Sequence, residues 1–163
     1  VPKAQADIAN TALRIFLQQM GTAYDEERGL VPYNAKHFPE IRDFFGKRCC
    51  YCGLTLEPSR TAQDHLIPMN KSSLGLHAWG NVVPACLDCN AQKQGREWHS
   101  FLVRRAGVDA AERYERVRAF VAKNKYAPKP DDLRKVAEDL YAEVGTVAMA
   151  LIATKVKRFR DAL

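Results

Sequence analysis

Cys49-Cys50-Tyr51-Cys52 and Cys86-Leu87-Asp88-Cys89 form two Cys-x-x-Cys pairs separated by the 33 residues 53–85, and between them lie Asp64-His65 and Asn81. A tight turn between paired thiols brings both sulfurs to one face of a tetrahedron, which suits zinc. One such pair is weak evidence. Two pairs, each followed by a residue that eases a turn (Gly53, Asn90), are strong evidence. The gap is longer than in a simple zinc ribbon, so a further unit must be folded into it. The spacing predicts a structural zinc held by Cys49, Cys52, Cys86 and Cys89. The fifth cysteine, Cys50, reads as a small buried thiol or else an alternative ligand.

Around this stretch the chain changes character twice. Over residues 1–46, Ile8, Ala12, Leu13, Phe16, Leu17 and Met20 recur at helical spacing, with Gly21 as a C-terminal stop. Residues 24–28 read as loop. A short helix starts near Pro39, turns Ile41, Phe44 and Phe45 inward and ends at Gly46. Residues 47–99 alternate glycines, prolines and cysteines with short apolar runs, as a small metal-stapled unit does. Residues 100–163 are helical again. Asp109-Ala-Ala-Glu112 resembles a capping box, and Ala110, Tyr114, Val117 and Val121 form an inner face. Pro128 and Pro130 break that helix, and Asp131 or Asp132 caps the next. Its apolar face runs from Leu133, Val136, Ala137, Leu140, Tyr141 and Val144 through Ala148, Leu151, Ile152, Val156 and Phe159, with Gly145 as a weak point.

The net charge of +6 is unevenly spread: −1 over residues 1–46, +2 over 47–100 and +5 over 101–163. A basic balance alone marks solubility as readily as nucleic-acid binding; with the motifs, nucleic acid is the favoured partner. No apolar run is long enough to cross a bilayer, and the opening residues lack a secretory pattern. A membrane partner is not expected, and a cytoplasmic location is. Paired cysteines in such a chain favour zinc over disulfides.

Inside the gap, Gln63-Asp64-His65-Leu66-Ile67-Pro68 is followed by Gly80-Asn81-Val82-Val83-Pro84-Ala85-Cys86 and then Cys89-Asn90-Ala91-Gln92-Lys93. Across residues 47–99 this resembles the HNH endonuclease family in its zinc-binding four-cysteine form. The flanking helices carry no such resemblance. It implies an α+β fold: a small ββα-metal core stapled by zinc and flanked by N- and C-terminal helices. His65 would end the first strand, Asn81 would open the second, and Cys86 to Lys93 would enter the helix. Asn90 stands in the motif's third position, where an amide oxygen suits a hard cation such as Mg²⁺ or Mn²⁺.

The roles implied are specific. His65 is the general base, since a neutral imidazole can take a proton from water near neutral pH. Asp64 and Asn90 hold the divalent ion on the scissile phosphate. Strand pleating points Asp64 away from His65, so Asp64 must turn toward the metal at the strand's end. Asn81 is a scaffold that ties the loop and helps orient His65. Lys93, Arg96 and His99 are candidate phosphate contacts. His77 reads as a surface histidine rather than a phosphate or metal contact, and Trp79 and Trp98 read as packing residues.

These readings converge on a Mg²⁺-dependent endonuclease acting on double-stranded DNA, with restriction or defence against mobile elements as its setting. A nonspecific nuclease toxin or effector domain is the rival within enzymes. A zinc-stapled nucleic-acid-binding module without catalysis is the rival outside them. Arg113, Arg116, Arg118, Lys155, Lys157, Arg158 and Arg160 either track a DNA backbone or form a solvated face. The long apolar helical face fits a homodimer contact or the chain's own core.

Overall fold

Two short strands sit at the centre: β1 (Thr61–His65) and β2 (Val82–Cys86) pair antiparallel, with Thr61 opposite Cys86 and His65 opposite Val82. The computed structural model describes residues 3–161, Pro130 in its backbone only. Every residue of β2 is buried. Pro84 lies in mid-strand, and its carbonyl accepts from the backbone N–H of Cys50 at 2.9 Å, which couples the strand to the first cysteine turn. Helix α3 (Leu87–Lys93) follows β2 directly. Its N-cap is Cys86, whose Sγ accepts from the N–H of Cys89 at 3.3 Å, so the second Cys-x-x-Cys turn is also the helix start. This is the α+β core expected: a two-stranded sheet with a helix packed across it.

The other elements form two layers around that core. Helix α2 (Phe38–Phe44) buries Phe38 and Ile41 there and is followed by buried Phe45. Helix α4 (Trp98–Ala106) is capped by Glu97, whose carboxylate accepts from the N–H groups of His99 and Ser100 at 2.8 Å. Helix α5 (Ala110–Lys123) buries Val117 and Phe120, with Ala110, Tyr114 and Val121 half-buried beside them. The expected Asp109 cap is absent. Asp109 caps no N–H and pairs instead with Arg113 at 3.5 Å, one turn on.

A second apolar cluster joins α1 (Lys3–Glu27) and α6 (Pro130–Arg160). Leu13, Leu17, Leu74, Leu76, Ala78, Tyr126 and Ala137 make it up. The first 46 residues and the last 60 therefore meet in space. Asp131 and Asp132 lie in the first turn of α6 rather than at its cap, which is Lys129. There they suit the positive end of the helix dipole. Gly145 is no weak point: a Cβ there would lie 2.6 Å from Gln5 Cγ, so its small size lets α6 cross α1 closely. Beyond Met149 the α6 residues are all exposed, Leu151 at 57% and Phe159 at 66% among them. The apolar period continues in sequence past the point where α1 can cover it. The residues that do pack, from Leu133 to Met149, serve the chain's own core.

Helix α1 does not stop at Gly21. It runs on to Glu27, through residues that read as loop. Gly21 is buried where α1 lies against the backbone of His77, and a Cβ would overlap the His77 carbonyl. The last turn is then fixed by Asp25, which accepts from the N–H groups of Tyr33 at 2.8 Å and Trp79 at 3.2 Å and pairs with Arg28. Tyr24 Oη accepts from the N–H of Ala127 at 2.8 Å. Gly21→Ala is expected to cost at least about 2 kcal/mol, the overpacking penalty of a site with no room. A urea titration checks this; an unchanged midpoint would mean that α1 and the His77 loop are not tightly apposed.

Candidate active site and zinc clamp

The four paired cysteines converge. One sulfur from each of Cys49, Cys52, Cys86 and Cys89 lies within 4.8 Å of the others, and Cys52 Sγ and Cys86 Sγ are 3.8 Å apart. Tetrahedral zinc with Zn–S bonds of about 2.3 Å places its sulfurs about 3.8 Å from one another. The donor set and spacing fit that ion. Cys49 is held low, at about 5, first by the thiol hydrogen bond from Cys89, against the opposing effect of burial. Cys89 is raised in turn by the same bond. Cys50 lies outside this group; it is buried, and burial raises its thiol well above the usual range.

Two arginines from the C-terminal helices press on the clamp. The guanidinium of Arg113 on α5 occupies the space beside Gly53 (φ +76°), so a side chain at Gly53 would displace it. Arg105 on α4 bonds to Asp88 at 2.6 Å, between the second pair of cysteines. Both supply positive charge beside a thiolate cluster.

His65 closes β1 at the sheet's end. Its Nε2 lies 2.9 Å from His77 Nδ1, and the two rings are tilted at 48°. His77 is thus no free surface histidine. It is half-buried, edge-on to Tyr33 with centroids 4.9 Å apart, and its backbone rests on Gly21. Burial first, then the neighbouring His77, Lys93 and Arg14, push the His65 imidazole down to about 3. It is neutral at physiological pH, the form that accepts a proton.

Asp64, one residue earlier, points the other way, as pleating requires. Its Oδ2 accepts from Tyr51 Oη at 2.5 Å and pairs with Lys93 Nζ at 3.3 Å. Both side-chain contacts fall on Oδ2. Burial raises the Asp64 carboxyl, while Lys93 and Tyr51 oppose that shift. The sequence makes Lys93 a candidate phosphate contact. The structure corrects this: Lys93 is 0% exposed and also donates to the His65 carbonyl at 2.7 Å. A carboxylate buried beneath the sheet needs a counter-charge there, and Lys93 supplies it.

Asn90 is half-buried on α3, one turn before Lys93 and so on the same side of the helix. Arg96 and His99 are exposed. Arg96 Nη1 donates to the carbonyl of Gln92 at 2.8 Å, and His99 packs on Tyr114 with centroids 4.5 Å apart.

Asn81 is wholly buried just before β2. Its Oδ1 accepts from the N–H of Ile67 at 2.8 Å, and its Nδ2 donates to the carbonyls of Ile67 at 3.0 Å and Leu76 at 2.8 Å. The side chain clasps both ends of the loop between the strands, which carries His77 back over His65. Asn81→Ala would leave several buried backbone groups unpaired and is expected to cost about 3 kcal/mol. Chemical denaturation measures that loss; a variant as stable as the wild type would rule out the clasp.

A cleft of about 350 Å³ opens beside the two histidines, lined by Thr11, Arg14, Ile15, Gln18, His65, Met69 and His77. The lining residues of α1 were not legible from any motif. His77 had no matched spacing, and Tyr51 lies inside a cysteine turn that the zinc already explained.

A two-stranded antiparallel sheet, a helix across it, a four-cysteine cluster fit for zinc and a histidine at the strand's end define a ββα unit. Residues 49–96 match the family model described as HNH endonuclease. This segment is similar to HNH endonuclease domains, whose family is in general one of nucleases. The match spans both cysteine pairs, both strands and α3, and excludes α1, α2, α4, α5 and α6. No curated protein matches the chain. Among the described residues no helix is long and apolar enough to cross a membrane.

Proposed function

We propose that the chain is a metal-dependent endonuclease that hydrolyses phosphodiester bonds in double-stranded DNA. The observation that carries this reading is the His65 imidazole at the end of β1, lining a solvent-open cleft with its Nε2 in contact with His77. His65 acts as general base toward the attacking water. Asn81 is its scaffold through the loop, and His77 fixes its ring.

Asp64 and Asn90 hold the divalent ion, Mg²⁺ or Mn²⁺. A carboxylate and an amide oxygen suit a hard cation; Asp64 lies on the far side of β1 from the His65 imidazole and is paired with Lys93, so holding the ion beside His65 requires its carboxylate to exchange Lys93 for the metal. When bound, such an ion neutralises charge on the scissile phosphate and steadies the leaving oxygen. The zinc clamp stays structural, since its four thiolates leave no open position.

The basic C-terminal region, with the largest positive balance of the chain, supports a polyanionic partner. Digestion of one defined sequence as duplex DNA, single-stranded DNA and RNA tests the substrate. Cutting of duplex DNA is expected; cutting of RNA alone would overturn the assignment. Cuts confined to one sequence would fit a restriction role, and scattered cuts a toxin or effector.

A further inference from the structure

We propose that α1, outside the matched segment, forms one wall of the nuclease cleft, and that Arg14 on it binds the phosphodiester presented to His65. This deepens the nuclease reading above and rests on it.

Thr11, Arg14, Ile15 and Gln18 fall at helical steps of three and four, so one face of α1 lines the cleft opposite His65 and His77. The chemistry of that lining selects an anion. It has one guanidinium, two neutral side chains that can donate hydrogen bonds, two imidazoles and no carboxylate. A phosphodiester carries one negative charge and two non-bridging oxygens, and a guanidinium fork matches those oxygens in pairs.

Arg14 is available for this. It is exposed, and among the described residues it has no carboxylate partner, unlike Arg28, Arg105 and Arg113. Lys93, which lies beside His65, is committed to Asp64 and the His65 carbonyl.

The wall is rigidly placed. Gly21, two turns beyond Arg14, holds α1 against the His77 backbone, and Asp25 ties the same helix to the N–H of Trp79. The helix that carries Arg14 is therefore seated against the His77 loop by packing before substrate arrives.

The test combines nicking with binding. Arg14→Ala should slow nicking of supercoiled plasmid in Mg²⁺ by about 100-fold, with Arg14→Lys intermediate because it restores the charge without the fork. Duplex affinity is measured for His65→Ala and for His65→Ala/Arg14→Ala across a salt series. The slope of log K against log salt should fall by about 1 when one phosphate contact is lost. An unchanged slope with wild-type nicking by Arg14→Ala overturns the proposal and leaves the nuclease reading intact. A lower slope, with wild type and His65→Ala nicking equally, keeps the phosphate contact and removes His65 as the base. Failure of the protein to bind duplex DNA at any salt overturns the proposal outright.

Discussion

Stripping the zinc, by a strong chelator or by Cys89→Ser, is expected to unfold residues 49–96. The sheet there has only two strands of five residues each, and an isolated pair of strands is marginal in water. A structural zinc contributes roughly 10–16 kcal/mol of apparent binding free energy, comparable with or larger than the whole stability of a typical domain. Cys89 is fully buried and starts α3, so losing its ligand also uncouples the helix from β2. The clamp is acid-labile in a defined direction. Protons compete with zinc for the four thiolates, so the ion and the stability it carries are retained at neutral pH and lost as pH falls. Zinc release followed with a chromogenic chelator, alongside proteolysis between Gly53 and Asn81, measures both effects. A zinc-free protein that resisted proteolysis as the loaded one does would show that the clamp is not what closes this unit.

His65→Ala is the second large effect. Positioned general bases contribute about 10²–10⁴-fold, so nicking should fall by about 10³-fold. Zinc content should not change, because His65 is outside the cysteine cluster. Duplex affinity should change little, since the imidazole is neutral and contributes no charge to a phosphate contact. Loss of affinity in parallel with rate would instead make His65 a binding residue.

The four-cysteine cluster was legible because ligand spacing is a local property: two pairs of thiols and the turn between each suffice to define it. His65 at the end of β1 and Asn81 at the door of β2 followed from the motif order. Features set by distant contacts were not legible. Gly21 reads as a helix stop by propensity, and only its contact with the His77 backbone shows that the missing side chain serves packing. His77 lies 12 residues from His65, and it meets His65 because Asn81 clasps the intervening loop. Lys93 has the pattern of a surface lysine. Its burial follows from the charge of Asp64, which alternation along β1 turns inward. The last three turns of α6 keep an apolar period in sequence but outrun α1, the helix that covers the first half.

The most direct measurement is relaxation of supercoiled plasmid by zinc-loaded protein, with Mg²⁺ added or with the divalent ion withheld. Open circles are predicted with Mg²⁺ and none without it, at constant zinc content. Plasmid that is bound and shifted yet stays supercoiled in Mg²⁺ and in Mn²⁺ would contradict hydrolysis at His65 and leave a zinc-stapled binding module.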